Sequence, residues 1–360
     1  MSHFGLHAHD LDPSRATGIA RYARGLASGL EGCLGEDESF TLISAQDDGS
    51  VEGPHHVLER SRRSLYARWL LRRGPRMEDL VPGLDLLHCT APIVPVSTRL
   101  PLVVTVHDLM GITHPQWYTR KAVLLFRAAI SWTCRAADVI VVPTRTIGDQ
   151  VVSVLGVDPD RVIQTGEGFD VRHFAGGDLE EVLPRFGVTR GDYLVHVGML
   201  SSRKGLTTLI EALPADGPVL VLIGPDGVGA EDVHRAAARK GAQVRLVGRL
   251  PDTDVGALVR GARALVHPSQ FEGFGLTVLE AMGVGTPVLA SSAGALPEVV
   301  GDGGLLVEPN DVAGWREALE RSADDALLAL LRERGHVRVG AWTWDDAARR
   351  TLDVYRRVLA

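Results

Sequence analysis

Two glutamates, Glu272 and Glu280, lie on either side of an apolar run in the segment FEGFGLTVLEAMGVGTP (271–287). The pattern predicts a short helix that begins near Gly275, so that Glu272 precedes the helix and Glu280 lies about one turn inside it. On one continuous helix the two residues would be about 12 Å apart. A turn at Gly273 and Gly275 can instead bring both carboxylates to one elongated ligand.

The start of this predicted helix is suited to phosphate, because the first N–H groups of a helix lack partners and carry a partial positive charge. Carboxylates are poor phosphate ligands, but they accept hydrogen bonds from sugar hydroxyls. The segment therefore predicts a ligand with phosphate between two sugars. Spacing alone leaves an ordinary alternative open, in which Glu272 and Glu280 are solvated or cap the helix.

Two adjacent cations, Arg203 and Lys204, follow a predicted strand and precede a predicted helix in YLVHVGMLSSRKGLTTLIEAL (193–213). A guanidinium can bond two phosphate oxygens at once, and an ammonium adds a compact charge. The pair therefore predicts a diphosphate site. The alternative is that both are ordinary surface charges.

Two further positions could contact a ligand. His107 ends a predicted strand in VVTVHDL (103–109), and Gly18 begins a predicted helix in SRATGIARYARGL (14–26). A glycine at a helix start lets the backbone approach a ligand closely. A structural, hydrogen-bonded histidine and a plain loop-to-helix turn are the alternatives.

Strands and helices alternate along the chain, which predicts an α/β protein with parallel sheets covered on both faces. The expected strands are 40–45, 84–89, 101–108, 138–144, 193–200, 218–224, 242–248, 262–269 and 287–292. The expected helices include 19–30, 121–136, 206–213, 230–239 and 254–261.

The alternation forms two sets, separated by a glycine-rich stretch at 162–188. We therefore expect a first domain at 1–170, a second at 171–342 and a C-terminal helix at 343–360 with Thr343 as its N-cap. Ligands of open parallel sheets bind beyond the carboxyl ends of the strands. Residues that directly follow strands are thus the favoured candidates for chemistry.

The composition excludes several classes of protein. A net charge of −7 argues against a general nucleic-acid binder. Three cysteines without a C-x-x-C motif suit free thiols in a reducing compartment. No signal peptide and no apolar run of about 20 residues is recognisable, so we expect a cytoplasmic protein.

The segment 59–76 departs from the acidic average, with seven arginines and one glutamate. Within it, Leu65, Trp69 and Leu70 have helical spacing. Such a basic amphipathic helix, here between Arg60 and Arg76, can lie on the inner face of an anionic membrane, although solvated helix faces are commoner.

The segment 267–311, HPSQFEGFGLTVLEAMGVGTPVLASSAGALPEVVGDGGLLVEPND, resembles the E-x7-E signature of the family 4 retaining glycosyltransferases. That family has the GT-B fold, in which two doubly wound Rossmann-like lobes face a central cleft. The resemblance implies that Glu272 contacts the donor sugar and that Glu280 binds the ribose hydroxyls. It further implies that sugar and diphosphate are held by the amides near Phe274, Gly275 and Leu276 and by the Thr277 hydroxyl.

The same family has an Arg/Lys pair that neutralises the diphosphate, matched here by Arg203 and Lys204, and a histidine that faces the donor sugar, matched by His107. Many members have a Gly-Gly pair where this chain has Thr17-Gly18. The resemblance assigns acceptor binding to the first lobe and nucleotide-sugar binding to the second, with the final helix crossing back onto the first.

We therefore expect a retaining glycosyltransferase, for example a mannosyltransferase. It would move a hexose from a donor of the GDP-mannose or UDP-hexose type to a glycan, lipid-linked or natural-product acceptor. A sugar-nucleotide epimerase or hydrolase and a non-catalytic sugar-nucleotide-binding protein are the alternatives.

We expect no metal cofactor. The acidic pairs Asp10/Asp12 and Asp252/Asp254 are short patterns that arise easily, and His3, His7 and His9 lack a matching set of carboxylates.

Overall fold

The computed structural model describes residues 1–8, 11, 18–45, 53–58, 62–71 and 73–360. The chain divides into two units: Met1–Gly168 together with Trp342–Ala360, and Phe169–Ala341. Several residues named above lie outside the described ranges: His9, Asp10, Asp12, Thr17 and Arg60.

Parallel strands form the sheet of the first unit. Those within the described residues are β1 (Ser2–His7), β2 (Glu38–Ser44), β3 (His55–Val57), β4 (Leu86–Cys89), β5 (Leu102–Thr105), β6 (Val139–Val142) and β7 (Val162–Gln164). Their order is β3-β2-β1-β4-β5-β6-β7. The predicted strands that correspond to β2, β4, β5 and β6 are confirmed.

Strand β1 lies in the middle of this sheet, between β2 and β4, and the sequence analysis missed it. Its two apolar residues, Phe4 and Leu6, are buried, but Gly5 lies between them and His3 and His7 flank them. These residues weaken the β-branched signal by which strands are recognised. The missed strands β3 and β7 are short and lie at the two edges.

The helices of the first unit connect and cover these strands. In the described residues up to Gly168 they are α1 (Gly18–Glu31), α2 (Arg62–Leu70), α3 (Met77–Leu80), α4 (Met110–Thr113), α5 (Arg120–Ala136) and α6 (Arg145–Leu155). The predicted helices at 19–30 and 121–136 are confirmed as α1 and α5.

Helix α2 buries two of the three apolar residues of the basic segment. Leu65 and Trp69 are buried, and the indole N–H of Trp69 donates to the carbonyl of Pro75 at 2.7 Å. Leu70, the third apolar residue of the set, is 40% exposed. Contact of the segment between Arg60 and Arg76 with a membrane stays a prediction. In the part of the chain that the structure describes, no helix is long and apolar enough to span a membrane.

The second unit has its own parallel sheet and core. Its strands are β8 (Tyr193–Val197), β9 (Val219–Ile223), β10 (Val244–Gly248), β11 (Ala264–His267), β12 (Val288–Ser291) and β13 (Gly304–Val307), in the order β10-β9-β8-β11-β12-β13. Its helices are α7 (Arg172–Ala175), α8 (Leu179–Arg185), α9 (Leu206–Ala212), α10 (Ala230–Lys240), α11 (Asp252–Gly261), α12 (Leu276–Gly283), α13 (Leu296–Val300), α14 (Val312–Arg321) and α15 (Asp325–Val339). The α/β prediction is confirmed.

The last helix, α16 (Trp344–Leu359), belongs to the first unit. Thr343 is its N-cap, as predicted, and its hydroxyl accepts a hydrogen bond from the N–H of Asp346 at 3.1 Å. Trp344 packs against Gly25 of α1, where a Cβ atom would overlap the indole ring. Further along α16, Tyr355 bonds His88 of β4 at 2.6 Å. The helix thus completes the core of the first unit.

Candidate active site

The candidate site of the second unit lies at the carboxyl ends of the neighbouring strands β8 and β11. After β8 the chain forms a short 3-10 turn at Ser202–Lys204, and after β11 it reaches Glu272. The two loops are joined by a hydrogen bond of 2.8 Å from the N–H of Gln270 to the carbonyl of Arg203. This is the edge of a parallel sheet where ligands bind.

Glu272 accepts bonds from three side chains on a single oxygen, Oε1. Lys204 Nζ lies 2.5 Å from it, His267 Nε2 lies 3.2 Å from it and Arg203 Nη1 lies 3.5 Å from it. Within the described residues, the bonds to this carboxylate all go to Oε1. The Glu272 side chain is 12% exposed, and Oε2 accepts no bond within the described residues, which leaves it able to accept one from a ligand.

The surroundings affect the two charged partners differently. Burial alone would raise the pKa of the Glu272 carboxyl, but the charge of Lys204 and the bond from His267 hold that pKa well below its usual range. Burial lowers the pKa of Lys204, and Glu272 only partly offsets this effect. Glu272 is therefore firmly ionised, whereas Lys204 loses its proton more readily than an exposed lysine does.

Arg203, Lys204 and Glu272 form a cluster of two cations and one carboxylate, with a net charge of +1. Burial and the neighbouring Lys204 lower the pKa of His267, so this ring is neutral near pH 7 and does not change the sum. The site retains a positive charge that a diphosphate could neutralise.

Helix α12 begins directly beyond Glu272. Its N-cap is Gly275, with φ of +111°, a backbone conformation that favours glycine. No side chain of the described residues caps this helix end. Glu272 is therefore not a helix cap, and the amides of Leu276 and Thr277 begin the helix as predicted. Phe274, just before the cap, is buried.

Glu280 lies one turn into α12 and is 1% exposed, so it is not a solvated surface residue. The structure brings Arg203, Lys204 and Glu272 together, whereas Glu280 is not among the partners of the Glu272 carboxylate. Its contact with ribose stays a prediction.

Gly294, in the loop after β12, fixes the backbone at Glu272. Its φ is +60°, and a Cβ atom there would overlap the carbonyl oxygen of Glu272. The N–H of the next residue, Ala295, donates to that carbonyl at 2.9 Å. The sequence analysis missed this contact, because twenty-two residues separate the two positions and only the fold brings them together.

In the first unit, His107 follows β5 and has both ring nitrogens bonded. Nδ1 lies 2.7 Å from Oε1 of Glu167, and Nε2 lies 2.8 Å from the carbonyl of Thr90. The Thr90 carbonyl can only accept, so Nε2 donates to it, and the Glu167 carboxylate beside Nδ1 favours a second proton on the ring. Burial alone would lower the pKa of His107, but Glu167 and Thr90 raise it above its ordinary value. The predicted contact of His107 with the donor sugar stays a prediction.

Gly18 begins α1 and is exposed. One turn further along α1, the ring of Tyr22 packs edge-on against His107, with centroids 4.7 Å apart. The start of α1 therefore lies in the same unit and near the same strand end as His107, and a ligand role for Gly18 stays a prediction.

Residues that could hold a metal were also considered. Asp254 of the Asp252/Asp254 pair bonds Arg185 at 2.8 Å. Within the described ranges, no group of three or more His, Cys, Asp and Glu side chains is arranged to hold a metal ion.

Comparison with protein families gives two matches that together account for most of the chain. Residues 16–173 match the model described as Glycosyltransferase Family 4, and residues 186–335 match the model described as Glycosyl transferases group 1.

Three curated relatives illustrate the similarity. O-antigen chain mannosyltransferase B of Escherichia coli is 29% identical over 71% of this chain and 70% of its own length. A glycogen synthase of Mycobacterium tuberculosis is 30% identical over 71% of this chain and 63% of its own length. A D-inositol 3-phosphate glycosyltransferase of Nocardioides sp. is 32% identical over 62% and 55%. The match thus spans less than two thirds of the latter two proteins.

Solved structures match nearly the whole chain. Sucrose-phosphate synthase of Thermosynechococcus elongatus has a TM-score of 0.76 at 22% identity, covering 99% of both chains. HepE of Anabaena in complex with UDP-glucose has a TM-score of 0.76 at 18% identity, covering 99% of this chain and all of that one. At these identities the structures establish the fold alone. Together with the family matches, they show that the chain belongs to the family 4 glycosyltransferases with the GT-B fold.

Proposed function

We propose that the protein transfers a hexose from a nucleoside diphosphate sugar to a hydroxyl of a glycan, lipid-linked or small-molecule acceptor, with retention of the anomeric configuration. The observation that carries this proposal is the cluster of Arg203, Lys204 and Glu272 beside the uncapped start of α12. It combines cations for a diphosphate with a carboxylate oxygen for a sugar hydroxyl.

The difficult step is departure of the nucleoside diphosphate, because negative charge builds on the leaving phosphate. Preorganised cations and N–H groups stabilise such charge strongly when they are shielded from water. Arg203 and the half-buried start of α12 supply them, together with the buried Lys204. In the proposed reaction the acceptor attacks the same face of the sugar that the diphosphate leaves.

The two glutamates would recognise the two sugars of the donor. We assign Oε2 of Glu272 to a hydroxyl of the transferred hexose and Glu280 to the ribose. The donor candidates are GDP-mannose and UDP-glucose, since the Escherichia coli relative is named a mannosyltransferase and the HepE structure holds UDP-glucose.

We further propose that transfer needs no metal cofactor, because Arg203 and Lys204 provide the positive charge that a divalent cation would supply. Activity should therefore be unchanged in EDTA. Loss of activity in EDTA that manganese or magnesium restores would contradict this part of the proposal.

The deciding experiment is a thermal-shift panel of nucleotide sugars, followed by calorimetry and a transfer assay with the donor that binds. A ligand at 100 times its Kd stabilises a protein by about 2.7 kcal/mol, which is easily measured. Replacing Arg203 and Lys204 by alanine should weaken nucleoside diphosphate binding by about 100-fold or more, since each charged hydrogen bond contributes about 1.5 to 3 kcal/mol.

The matched control replaces two exposed arginines of the same unit, Arg332 and Arg334 on α15, by alanine, and it should bind like wild type. Unchanged affinity in the Arg203/Lys204 variant would remove both residues from the site. Consumption of the donor in the absence of any acceptor would indicate an epimerase or hydrolase instead.

A further inference from the structure

Two buried histidines stack next to Glu272, and the proposed reaction has no role for either. His267 is the last residue of β11, and His196 lies on the neighbouring strand β8. Their ring centroids are 5.6 Å apart with an angle of 30° between the planes. Exposure is 2% for His267 and 0% for His196, so protein atoms hold both rings in place.

Hydrogen bonds fix the protonation of the inner ring. His196 Nδ1 lies 3.0 Å from the carbonyl of Val266, which can only accept, so Nδ1 carries the proton. Burial lowers the pKa of His196 to about 3, with smaller contributions from His267 and Lys204, and the ring is neutral. Nε2 is then a bare acceptor without a hydrogen-bond partner among the described residues.

The outer ring is fixed by the same reasoning. His267 Nε2 lies 3.2 Å from the ionised Glu272 carboxylate and must donate to it. Because this ring is neutral, Nδ1 carries no proton, and in the described part of the chain it has no hydrogen-bond partner. The single N–H group of His267 therefore donates to Glu272.

The three donors on Oε1 of Glu272 differ in how a ligand would affect them. Lys204 and Arg203 are cations, and an arriving diphosphate would compete with Glu272 for their N–H groups. His267 is neutral, and its one N–H is already used. It is therefore the donor whose bond to Oε1 persists when phosphate binds.

We propose that His267 is a positioning residue, which holds Oε1 of Glu272 in the donor-bound state so that Oε2 stays available to the sugar. His196 fixes the plane of the His267 ring by stacking against it. This inference rests on the proposed transfer reaction and adds a residue to it.

The test compares His267→Phe with His267→Gln. Phenylalanine fills the same space without a donor, whereas the glutamine amide nitrogen lies near the position of Nε2 and can still donate. We expect His267→Phe to lower kcat by about tenfold or more while the KM for donor and the affinity for nucleoside diphosphate change less than about twofold. His267→Gln should stay within about threefold of wild type.

Two controls separate positioning from general damage. His336→Phe introduces the same side chain at an exposed histidine of the same unit, and its kcat and KM should equal those of wild type. His267→Asn carries the same amide as glutamine but places it near Nδ1, out of reach of Glu272. If His267→Phe does not fold, the comparison of His267→Asn with His267→Gln decides. The inference then requires the kcat of His267→Asn to be at least about fivefold lower than that of His267→Gln.

Wild-type kcat in His267→Phe, or equal kcat in the asparagine and glutamine variants, would overturn the inference. A wild-type protein that turns over no donor in the panel would instead refute the proposed function. The structural part is tested separately by ¹⁵N NMR of labelled histidine, in which His267 should be a neutral Nε2–H tautomer. A charged ring or an Nδ1–H tautomer there would overturn it.

Discussion

Glu272 and Glu280 share a residue type but not an environment, and this difference sets their expected roles. Glu272 has a partly exposed carboxylate bound to cations, whereas Glu280 is buried within α12. A buried hydroxyl bond to a charged acceptor contributes about 1.5 to 3 kcal/mol. We therefore expect Glu272→Gln to lower kcat by about tenfold or more, with a smaller rise in KM, and Glu280→Gln mainly to weaken donor binding. Steady-state kinetics of both variants tests this expectation. If Glu272→Gln and Glu280→Gln both keep wild-type kcat and KM, the assignment of these residues to the site is wrong.

Glu272→Gln should also lower thermal stability, because it leaves the buried Lys204 without its anion. The pKa of Glu272 is depressed in the folded protein, so its stabilising contribution is present above the unfolded pKa and is lost as pH falls through the folded value. The difference in Tm between wild type and Glu272→Gln should therefore shrink in acid. A difference that is independent of pH would contradict the ion pair.

The pair of His107 and Glu167 makes the opposite pH prediction. The pKa of His107 is raised, so its contribution to stability is fully present below the unfolded pKa and is lost as pH rises through the folded value. Glu167→Gln removes the anion, and we expect the His107 pKa to fall in an NMR titration. The stability loss should be larger at pH 6 than well above the folded pKa. A His107 pKa that does not change would show that Glu167 does not hold the imidazolium.

The structure brings together Arg203, Lys204 and Glu272, whose contact with a donor stays a prediction. Residue types and spacing made these three residues candidates, and the family resemblance favoured a ligand site over surface charges. They did not predict Glu167 as the partner of His107, since sixty residues separate the two and the bond depends on how β5 and β7 lie in the sheet. His267 lay within the expected strand 262–269, but its bond to Glu272 requires the loop geometry. Long-range hydrogen bonds of this kind are not encoded in local pattern.

At the scale of elements, the loop after β12 is a support for the loop after β11. Gly294→Ala would place a methyl group on the Glu272 carbonyl and strain a residue with φ of +60°. We expect a large loss of transfer activity, because Glu272 must shift. Gly285→Ala is the matched control, since Gly285 has φ of +79° but no atom lies within 4 Å of the position that a Cβ would occupy there. If both variants lose activity equally, backbone strain rather than displacement of Glu272 is the cause.

The elements themselves were largely predictable, because most strands are short apolar runs and most helices have clear periodicity. The exceptions have physical reasons. Strand β1 mixes histidine with apolar residues, yet pairing with both β2 and β4 holds it in the sheet. In helix α2, Leu65 and Trp69 are buried in the first unit, and the basic composition of the segment did not reveal this packing.

At the scale of the whole molecule, each unit has a separate parallel sheet and a separate core, and the cluster of Arg203, Lys204 and Glu272 lies wholly in the second. A nucleoside diphosphate without sugar should therefore bind to the second unit. In hydrogen–deuterium exchange of the intact chain, we expect the strongest protection in the loops around Arg203–Gly205 and Glu272–Thr277, because ligand binding suppresses local opening where contacts form. The Arg203/Lys204 double alanine variant should lose this protection, while the Arg332/Arg334 control keeps it. Protection confined to the first unit, at the ends of β4 and β5, would place the nucleotide elsewhere and refute the assignment of the donor to the second unit.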